Sequence, residues 1–367
     1  MSTVTRLRAR DFRSLAAAEV ALGERLTIVH GPNGAGKTNL LEALYFGCTS
    51  RSCCTANERD VVHFDAPGTR IEVDVDGADG AHTLAVGFQP GEPKRVRVDG
   101  APVERLVDAP GRPLVGVFLP DRLELVKGAP SLRRGHLDQV VAALWPTRAG
   151  TRRDYAQALA QRNALLARVR AGGSRAALAA WDLELAGHGI ALRDDRARAV
   201  EMLAARFANT GDELGLAGAL ELRFRPRSRA ASAEALAAEL GARLEADLER
   251  GFTTHGPHRD DLAIVRDGRE LRAFGSQGEQ RLALLALLLA ERAALAEERG
   301  SPPLLLLDDV MSELDADRRK RLVERLDSGQ SVVTTTDLAQ VPGAGDPGVV
   351  RLRMQDGAVH AEELVGA

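Results

Sequence analysis

The octapeptide Gly31-Pro32-Asn33-Gly34-Ala35-Gly36-Lys37-Thr38 limits what this chain can fold into more than any other stretch of it. It matches the pattern G-x-x-x-x-G-K-[ST], and its flanks agree with it. Leu26-Thr27-Ile28-Val29-His30 reads as a buried strand, and Asn39 to Phe46 sets Leu40, Leu41, Leu44 and Tyr45 at helical spacing. A strand, a glycine-rich turn and a helix N-terminus together curl successive backbone N–H groups around phosphate oxygens. Gly31, Pro32, Asn33, Gly34, Ala35, Gly36, Lys37, Thr38 and Asn39 are therefore expected to hold ATP. Lys37 would reach the β- and γ-phosphates, and the Thr38 hydroxyl would bind Mg²⁺.

A nucleotide of this kind needs carboxylates opposite the loop. Leu304-Leu305-Leu306-Leu307-Asp308-Asp309 is a fully apolar strand running into two of them. Asp308 is expected to hold Mg²⁺ through its water shell, and Asp309 stands where a general base for the attacking water would sit. Ser276-Gln277-Gly278-Glu279 opens a long helical run and supplies a hydroxyl, a close backbone approach and helix N-terminal N–H groups. That makes a second phosphate site in a chain whose first is already taken by the glycine loop. One γ-phosphate with two such sites points to a nucleotide sandwiched between two molecules.

At 367 residues the chain is long for one compact domain and suits two. Its first 130 residues carry short strands: alternation at Arg6 to Phe12, hairpins over 70–100, and Val115 to Leu119 closed by Pro120-Asp121. From 131 to 250 the texture turns to Ala, Leu, Arg and Glu at helical spacing, broken at Pro146, Gly172-Gly173, Gly211 and Arg223 to Ser232. Strands return after Gly256-Pro257, followed by a helix from about Gln277 to Glu298, the strand Leu304 to Leu307, a helix from about Asp315 to Leu326 and the strand Ser331 to Thr335. The expected organisation is an α/β head in two parts, 1–130 and 251–367, interrupted by a helical arm, 131–250. No heptad pattern runs unbroken for long, so no long coiled coil is expected. The longest apolar stretch, Leu282 to Ala290, is too short for a membrane span, and Met1 to Arg6 shows no secretory h-region. Three cysteines, Cys48, Cys53 and Cys54, fit a reducing cytoplasm.

Several stretches together resemble one family. A P-loop, a distant S-x-G-x-Q signature, a Walker B strand and then Ser312-Glu313-Leu314-Asp315 is the order of ABC-type ATPases. Leu306 to Asp315, Leu125-Val126-Lys127-Gly128-Ala129-Pro130 with Arg133-Arg134, and Gly256-Pro257-His258-Arg259-Asp260-Asp261 are similar to the RecF recombination-mediator family, as is Leu7 to Leu15. The resemblance implies an ABC-type ATPase head of the SMC and Rad50 kind, with a mixed sheet and flanking helices. It also implies a homodimer formed on ATP, binding to gapped or single-/double-stranded DNA, and action with RecO and RecR to place RecA on single strands. In such dimers Ser276, Gln277 and Gly278 of one protomer meet the γ-phosphate held by Lys37 of the other, and Ser312 to Asp315 lies at the same interface.

Two features depart from the wider ABC pattern. Asp309 replaces the usual glutamate, and Thr334-Thr335-Thr336-Asp337 stands where a switch histidine would be. With one methylene fewer, Asp309 would align the water less well, so a weak, DNA-stimulated ATPase that acts as a switch is expected. A transporter ATPase would need a conventional signature and the histidine, and an SMC-type organiser would need hundreds of coiled-coil residues. The net charge is −3, so any nucleic-acid surface must be local. Residues 131–175 offer nine arginines against Asp138 and Asp154, with Arg133, Arg134, Arg152 and Arg153 as candidate phosphate contacts. His255, His258, Asp260 and Asp261 fit no zinc spacing and read as a turn.

Overall fold

The computed structural model describes residues 2–106, 109–119 and 123–362. Pro120 and Asp121, expected to close a strand, lie outside the described residues. The chain divides into two compact units, one formed by Met1–Arg122 with Leu295–Ala367 and the other by Leu123–Ala294. The second unit thus extends beyond the 131–250 expected for the arm and takes in the signature.

The first unit begins with β1 (Thr3–Phe12), β2 (Leu15–Ala21), β3 (Leu26–His30), α1 (Lys37–Thr49), β4 (Thr69–Gly77), β5 (Gly80–Phe88), β6 (Arg95–Val98), β7 (Ala101–Pro102) and β8 (Val115–Phe118). The second holds α2 (Glu124–Lys127), α3 (Pro130–Leu144), α4 (Thr151–Arg170), α5 (Leu178–Glu213), β9 (Leu220–Arg225), α6 (Ala233–Ala242), α7 (Leu244–Arg250), β10 (Asp261–Arg266), β11 (Arg269–Glu270) and α8 (Leu271–Phe274). The long α9 (Gln277–Arg299) leads back to β12 (Leu304–Leu307), α10 (Ala316–Leu326), β13 (Ser331–Thr335), β14 (Val350–Gln355) and β15 (Ala358–Glu362) of the first unit.

Two six-stranded sheets build the first unit. One is antiparallel in the order β2-β1-β4-β5-β6-β7; the other, β15-β14-β3-β13-β12-β8, is parallel except for β15. All four leucines of β12 are buried because the strand lies between β13 and β8, the environment in which parallel strands become continuously apolar. Helix α1 packs against strands of both sheets, and its apolar residues join one core with Phe12, Ile71, Val73, Leu306 and Val332. Gly47 permits that approach: a Cβ there would meet Val73 Cγ2 at 2.4 Å. Two strands near the C-terminus, β14 and β15, were not foreseen, although Val350 to Met354 alternates.

The second unit is helical but not purely so. Helices α4 and α5, of 20 and 36 residues, pack side by side, well short of a long coiled coil. Strand β9 falls where a break at Arg223 to Ser232 was expected, and it pairs antiparallel with β10 in a three-stranded sheet, β11-β10-β9. The strands after Gly256-Pro257 therefore belong to this unit's own sheet. Its interior is held by buried arginines. Arg162 is 0% exposed and donates to Asp182 (2.6 Å), Asp247 (2.7 Å) and Thr253 Oγ1 (2.8 Å). Arg196 bridges Asp138 (2.7 Å) and Asp260 (3.1 Å). Among the described residues no helix is long and apolar enough to cross a membrane.

Candidate active site

The glycine loop leaves β3 and enters α1 as its sequence requires, and three of its residues sit in backbone conformations that favour glycine. Gly31, Gly34 and Gly36 have φ of 151°, 79° and 103°. Gly31 is also pressed against β14, where a Cβ would lie 2.2 Å from the Met354 carbonyl oxygen. At Gly36 a Cβ would lie 2.9 Å from Ser14 Oγ. The loop is thus buttressed by β14, which was not foreseen, and by the β1–β2 turn, which lies within the Leu7 to Leu15 stretch singled out in the sequence. The turn is tied to α1 as well. Arg13 makes a bidentate pair with buried Glu42 (2.8 and 3.0 Å), and Asn39 Nδ2 donates to Ser14 Oγ at 2.7 Å. Asn39 is thereby engaged with the turn.

Lys37 is buried, 7% exposed, and its ammonium donates to the carbonyls of Gly31 (2.8 Å) and Pro32 (3.0 Å). Burial pushes its pKa below the usual lysine range, against the pull of Asp309 and Asp308. Asp308, at the end of β12, accepts from Thr38 Oγ1 on Oδ2 (2.8 Å) and from Thr334 Oγ1 on Oδ1 (2.7 Å). Burial raises its pKa, with the two hydroxyls and Lys37 pulling the other way. Thr38 and Asp308, both expected to serve Mg²⁺, are hydrogen-bonded directly to each other.

Asp309 follows in the left-handed region, φ 44° and ψ 30°, rare for a residue with a Cβ. Its N–H donates to Thr334 Oγ1 (2.9 Å), and Ser312 Oγ lies 3.0 Å from its Oδ2. Its Oδ1 is buried without a hydrogen-bond partner. Asp315 and Asp337 have local duties instead. Asp315 caps α10 through Arg318 N (2.9 Å), and Asp337 Oδ1 accepts from Ala339 N (2.9 Å).

The signature lies in the second unit at the start of α9. Ser276 and Glu279 form a reciprocal cap: Ser276 N donates to Glu279 Oε2 (2.8 Å) and Glu279 N to Ser276 Oγ (3.3 Å). Arg266 holds the other Glu279 oxygen at 2.6 Å, so that carboxylate serves the helix cap and this ion pair. Ser276, Gln277 and Gly278 are exposed. Gly278 has open space around its missing Cβ and an ordinary φ, so nothing in the chain's own packing asks for glycine there.

The turn at 255–261 is structural. His255 pairs with Glu239 (2.6 Å), His258 with the Tyr155 hydroxyl (2.7 Å), Asp260 with Arg196 (3.1 Å) and Asp261 with Arg133 (2.8 Å). Among the described residues no group of three His, Cys, Asp or Glu is placed to hold a metal ion. The basic stretch 131–175 is not a free surface either. Arg133 is 3% exposed on Asp261, Arg134 donates to the Asp260 carbonyl (2.8 Å), and Arg162 is buried. Arg152 and Arg153 remain largely exposed with loose pairs at 3.4 and 3.5 Å.

A second arginine set, unmarked in the sequence, lies on the antiparallel sheet of the first unit. Register puts Arg10 directly opposite Arg70, Arg70 opposite Gly87, and Gly87 opposite Arg95. Arg97 stands one row along, and the four arginines line an open hollow of about 470 Å³. Arg70 pairs with Glu72 (2.8 Å) and Arg95 with Glu92 (2.6 Å), and Arg97 donates to the Gly100 carbonyl (3.2 Å). The row is thus partly compensated, although Arg10 and Arg70 face each other as like charges directly opposed across strands.

Residues 6–89 match the AAA domain family. The chain is 40% identical over 365 residues to the DNA replication and repair protein RecF of Anaeromyxobacter sp. (strain Fw109-5), covering 96% of this chain and 97% of that one. A solved structure of the recombination mediator protein RecF with ATP, from the RecFOR pathway, superposes with a TM-score of 0.87 at 28% identity, covering 99% of this chain and 98% of the other. A SmcHead bound to the C-winged helix domain of ScpA shares the fold, with a TM-score of 0.61 at 16% identity over 99% of this chain and 98% of that one. Identity of this extent, over nearly the whole length of both chains, makes this protein a member of the RecF family of DNA replication and repair proteins.

Proposed function

We propose that the protein is an ATP-dependent DNA-binding switch. It dimerises on ATP, binds gapped or single-/double-stranded DNA, and works with RecO and RecR to place RecA on single strands. The observation that carries this reading is the exposed trio Ser276, Gln277 and Gly278, a phosphate-binding helix start left outside the chain's own packing. The glycine loop already offers one γ-phosphate receptacle, so the trio serves a partner's nucleotide.

The residues fit ATP with Mg²⁺. The positive-φ glycines leave the loop amides open to phosphate, and Lys37 exchanges its two carbonyl contacts for the β- and γ-phosphates. Thr38 and Asp308 would hold Mg²⁺, which would neutralise charge on the phosphate oxygens. Hydrolysis needs a water oxygen to bond to the γ-phosphorus as the bond from that phosphorus to the bridging oxygen breaks, yielding ADP and phosphate. Asp309 Oδ1, buried and unpartnered, takes the water's proton. The short reach of an aspartate makes this step slow, so ATP binding closes the dimer on DNA and hydrolysis releases it. DNA phosphates meet the Arg10, Arg70, Arg95 and Arg97 face of the sheet, where four arginines line one open hollow and phosphate would displace the Glu72 and Glu92 partners.

The test is Ser276→Arg. It should bind ATP as the parent does and fail to form ATP-dependent dimers in sedimentation. A normal dimer would refute the sandwich.

A further inference from the structure

Thr334 sits near the end of β13 and is 0% exposed. The switch histidine of related ATPases is absent, and nothing in the sequence distinguishes Thr334 from Thr335 and Thr336 beside it. The structure does. Strands β12 and β13 are parallel neighbours with Leu307 level with Val333, which sets Thr334 beside the two carboxylate residues that follow β12. Its hydroxyl donates to Asp308 Oδ1 (2.7 Å) and accepts the N–H of Asp309 (2.9 Å). One oxygen atom thus joins both aspartates.

The contacts form a continuous chain. Thr38 Oγ1 donates to Asp308 Oδ2, Thr334 Oγ1 donates to Asp308 Oδ1, the Asp309 amide donates to Thr334 Oγ1, and Ser312 Oγ reaches Asp309 Oδ2. Such support offsets the cost of a left-handed backbone at Asp309, which carries a Cβ at φ 44°. The Thr334 bond fixes its backbone from the strand side, and the Ser312 hydroxyl lies within reach of its carbonyl oxygen (2.8 Å) and of Oδ2 (3.0 Å). The other oxygen, Oδ1, is left buried and without a partner. A β-branched threonine is suited to the task, since its χ1 is stiff and its hydroxyl does not wander.

We propose that Thr334 is a positioning residue for hydrolysis: it holds Asp309 in the left-handed conformation that presents Oδ1 to the attacking water. The inference rests on the reading of Asp309 as the general base. It assigns to a hydroxyl on β13 the task of orienting that base, in a fold where the strand end carries no histidine.

The test compares Thr334→Val, which keeps the shape and removes the hydroxyl, with Thr334→Ser, which keeps the hydroxyl. The first readout needs no nucleotide. In native-state hydrogen exchange the Asp309 amide should exchange at least about tenfold faster in Thr334→Val, with the amides of Val332 and Val333 unchanged and Thr334→Ser near parental. Next, mant-ATP affinity should stay within about threefold of parental while single-turnover hydrolysis falls about ten- to a hundredfold, and Thr334→Ser should restore it. Third, adding Thr334→Val to Asp309→Asn should cost nothing further. If Thr334→Val does not fold, Thr334→Ala removes the same hydroxyl without added bulk. Parental hydrolysis in a hydroxyl-free variant, or a loss that adds fully to that of Asp309→Asn, overturns the positioning role alone. Parental hydrolysis in Asp309→Asn overturns the general base and the positioning role with it.

Discussion

Acidification should destabilise the second unit through His258. Its Nε2 lies 3.0 Å from the Thr253 carbonyl oxygen, and its Nδ1 lies 2.7 Å from the Tyr155 hydroxyl. Burial pushes the phenol's pKa up, so Tyr155 stays protonated and donates, which assigns the neutral ring with its proton on Nε2. Burial lowers the imidazole pKa to about 4, with Arg259 and Arg134 acting in the same direction and the Thr253 carbonyl and Asp247 opposing. The unfolded chain would titrate this ring near 6.5. The folded value is depressed, so the unfolded state binds the proton first. The stability is present in full above about pH 6.5 and is lost as pH falls toward about 4. Linkage between those two values gives a loss of about 2 kcal/mol from pH 8 to pH 5. The chain's two tryptophans, Trp145 and Trp181, both lie in this unit, so urea unfolding followed by their fluorescence reports on it. His258→Gln should be less stable than the parent at pH 8 and should lack this acid-induced loss. If parent and variant lose the same stability between pH 8 and pH 5, within about 0.5 kcal/mol, the ring is not held neutral by burial and the reasoning fails.

Arg162→Met would leave Asp182 and Asp247 as buried charges without their cation, at a cost of about 3–5 kcal/mol in the same unfolding assay; neutralising both aspartates as well should recover part of it. Replacing Arg10, Arg70 and Arg95 with glutamine should weaken DNA binding about equally for all sequences and flatten the log–log salt slope by about 2–3 units. An unchanged slope moves the DNA contact elsewhere. Asp309→Asn should bind ATP and dimerise normally while single-turnover hydrolysis drops by about a hundredfold or more. Asp308→Asn should lose affinity for Mg²⁺-ATP yet gain relative affinity for ATP measured with excess EDTA, and equal losses in both conditions would contradict the charge argument given below.

The parts of this fold legible in the sequence are those where local chemistry dictates local shape. The phosphate loop, β12 with its four leucines and β13 were readable because each needs particular residues at fixed offsets. Strand β9 was not. Its alternation, Leu220, Leu222 and Phe224, is short and interleaved with Glu221, Arg223 and Arg225, so its partner β10 decides it rather than its own pattern. The same non-local pairing places β10, expected in the head, in the second unit. Arginines misled for a related reason. A sequence displays charge but not its partner, and Arg133 and Arg162 find theirs 128, 20 and 85 residues away. Nor could one foresee that Glu279 closes a cap on Ser276, because a capping box and a phosphate-binding signature use the same residues at a helix start.

The balance of charge around the loop explains why the two aspartates sit so close to a site for a polyanion. Lys37 contributes one positive charge, and Asp308 and Asp309 are both near enough to act on it electrostatically. With both ionised the trio is net negative, and burial magnifies the repulsion that a bare triphosphate would meet. Burial already raises the Asp308 pKa, and only the two hydroxyls and Lys37 oppose that shift. A divalent cation held by Thr38 and Asp308 would change the sign of the sum and make the same carboxylates compatible with the phosphates. Thr38 and Thr334 can keep Asp308 hydrogen-bonded until then, and Lys37 rests on the Gly31 and Pro32 carbonyls, so these two charged groups have partners before nucleotide arrives, while Asp309 Oδ1 has none. For Lys37 and Asp308, binding therefore exchanges one set of partners for another. An exchange of that kind suits a switch that responds to Mg²⁺-ATP and not to the nucleotide alone.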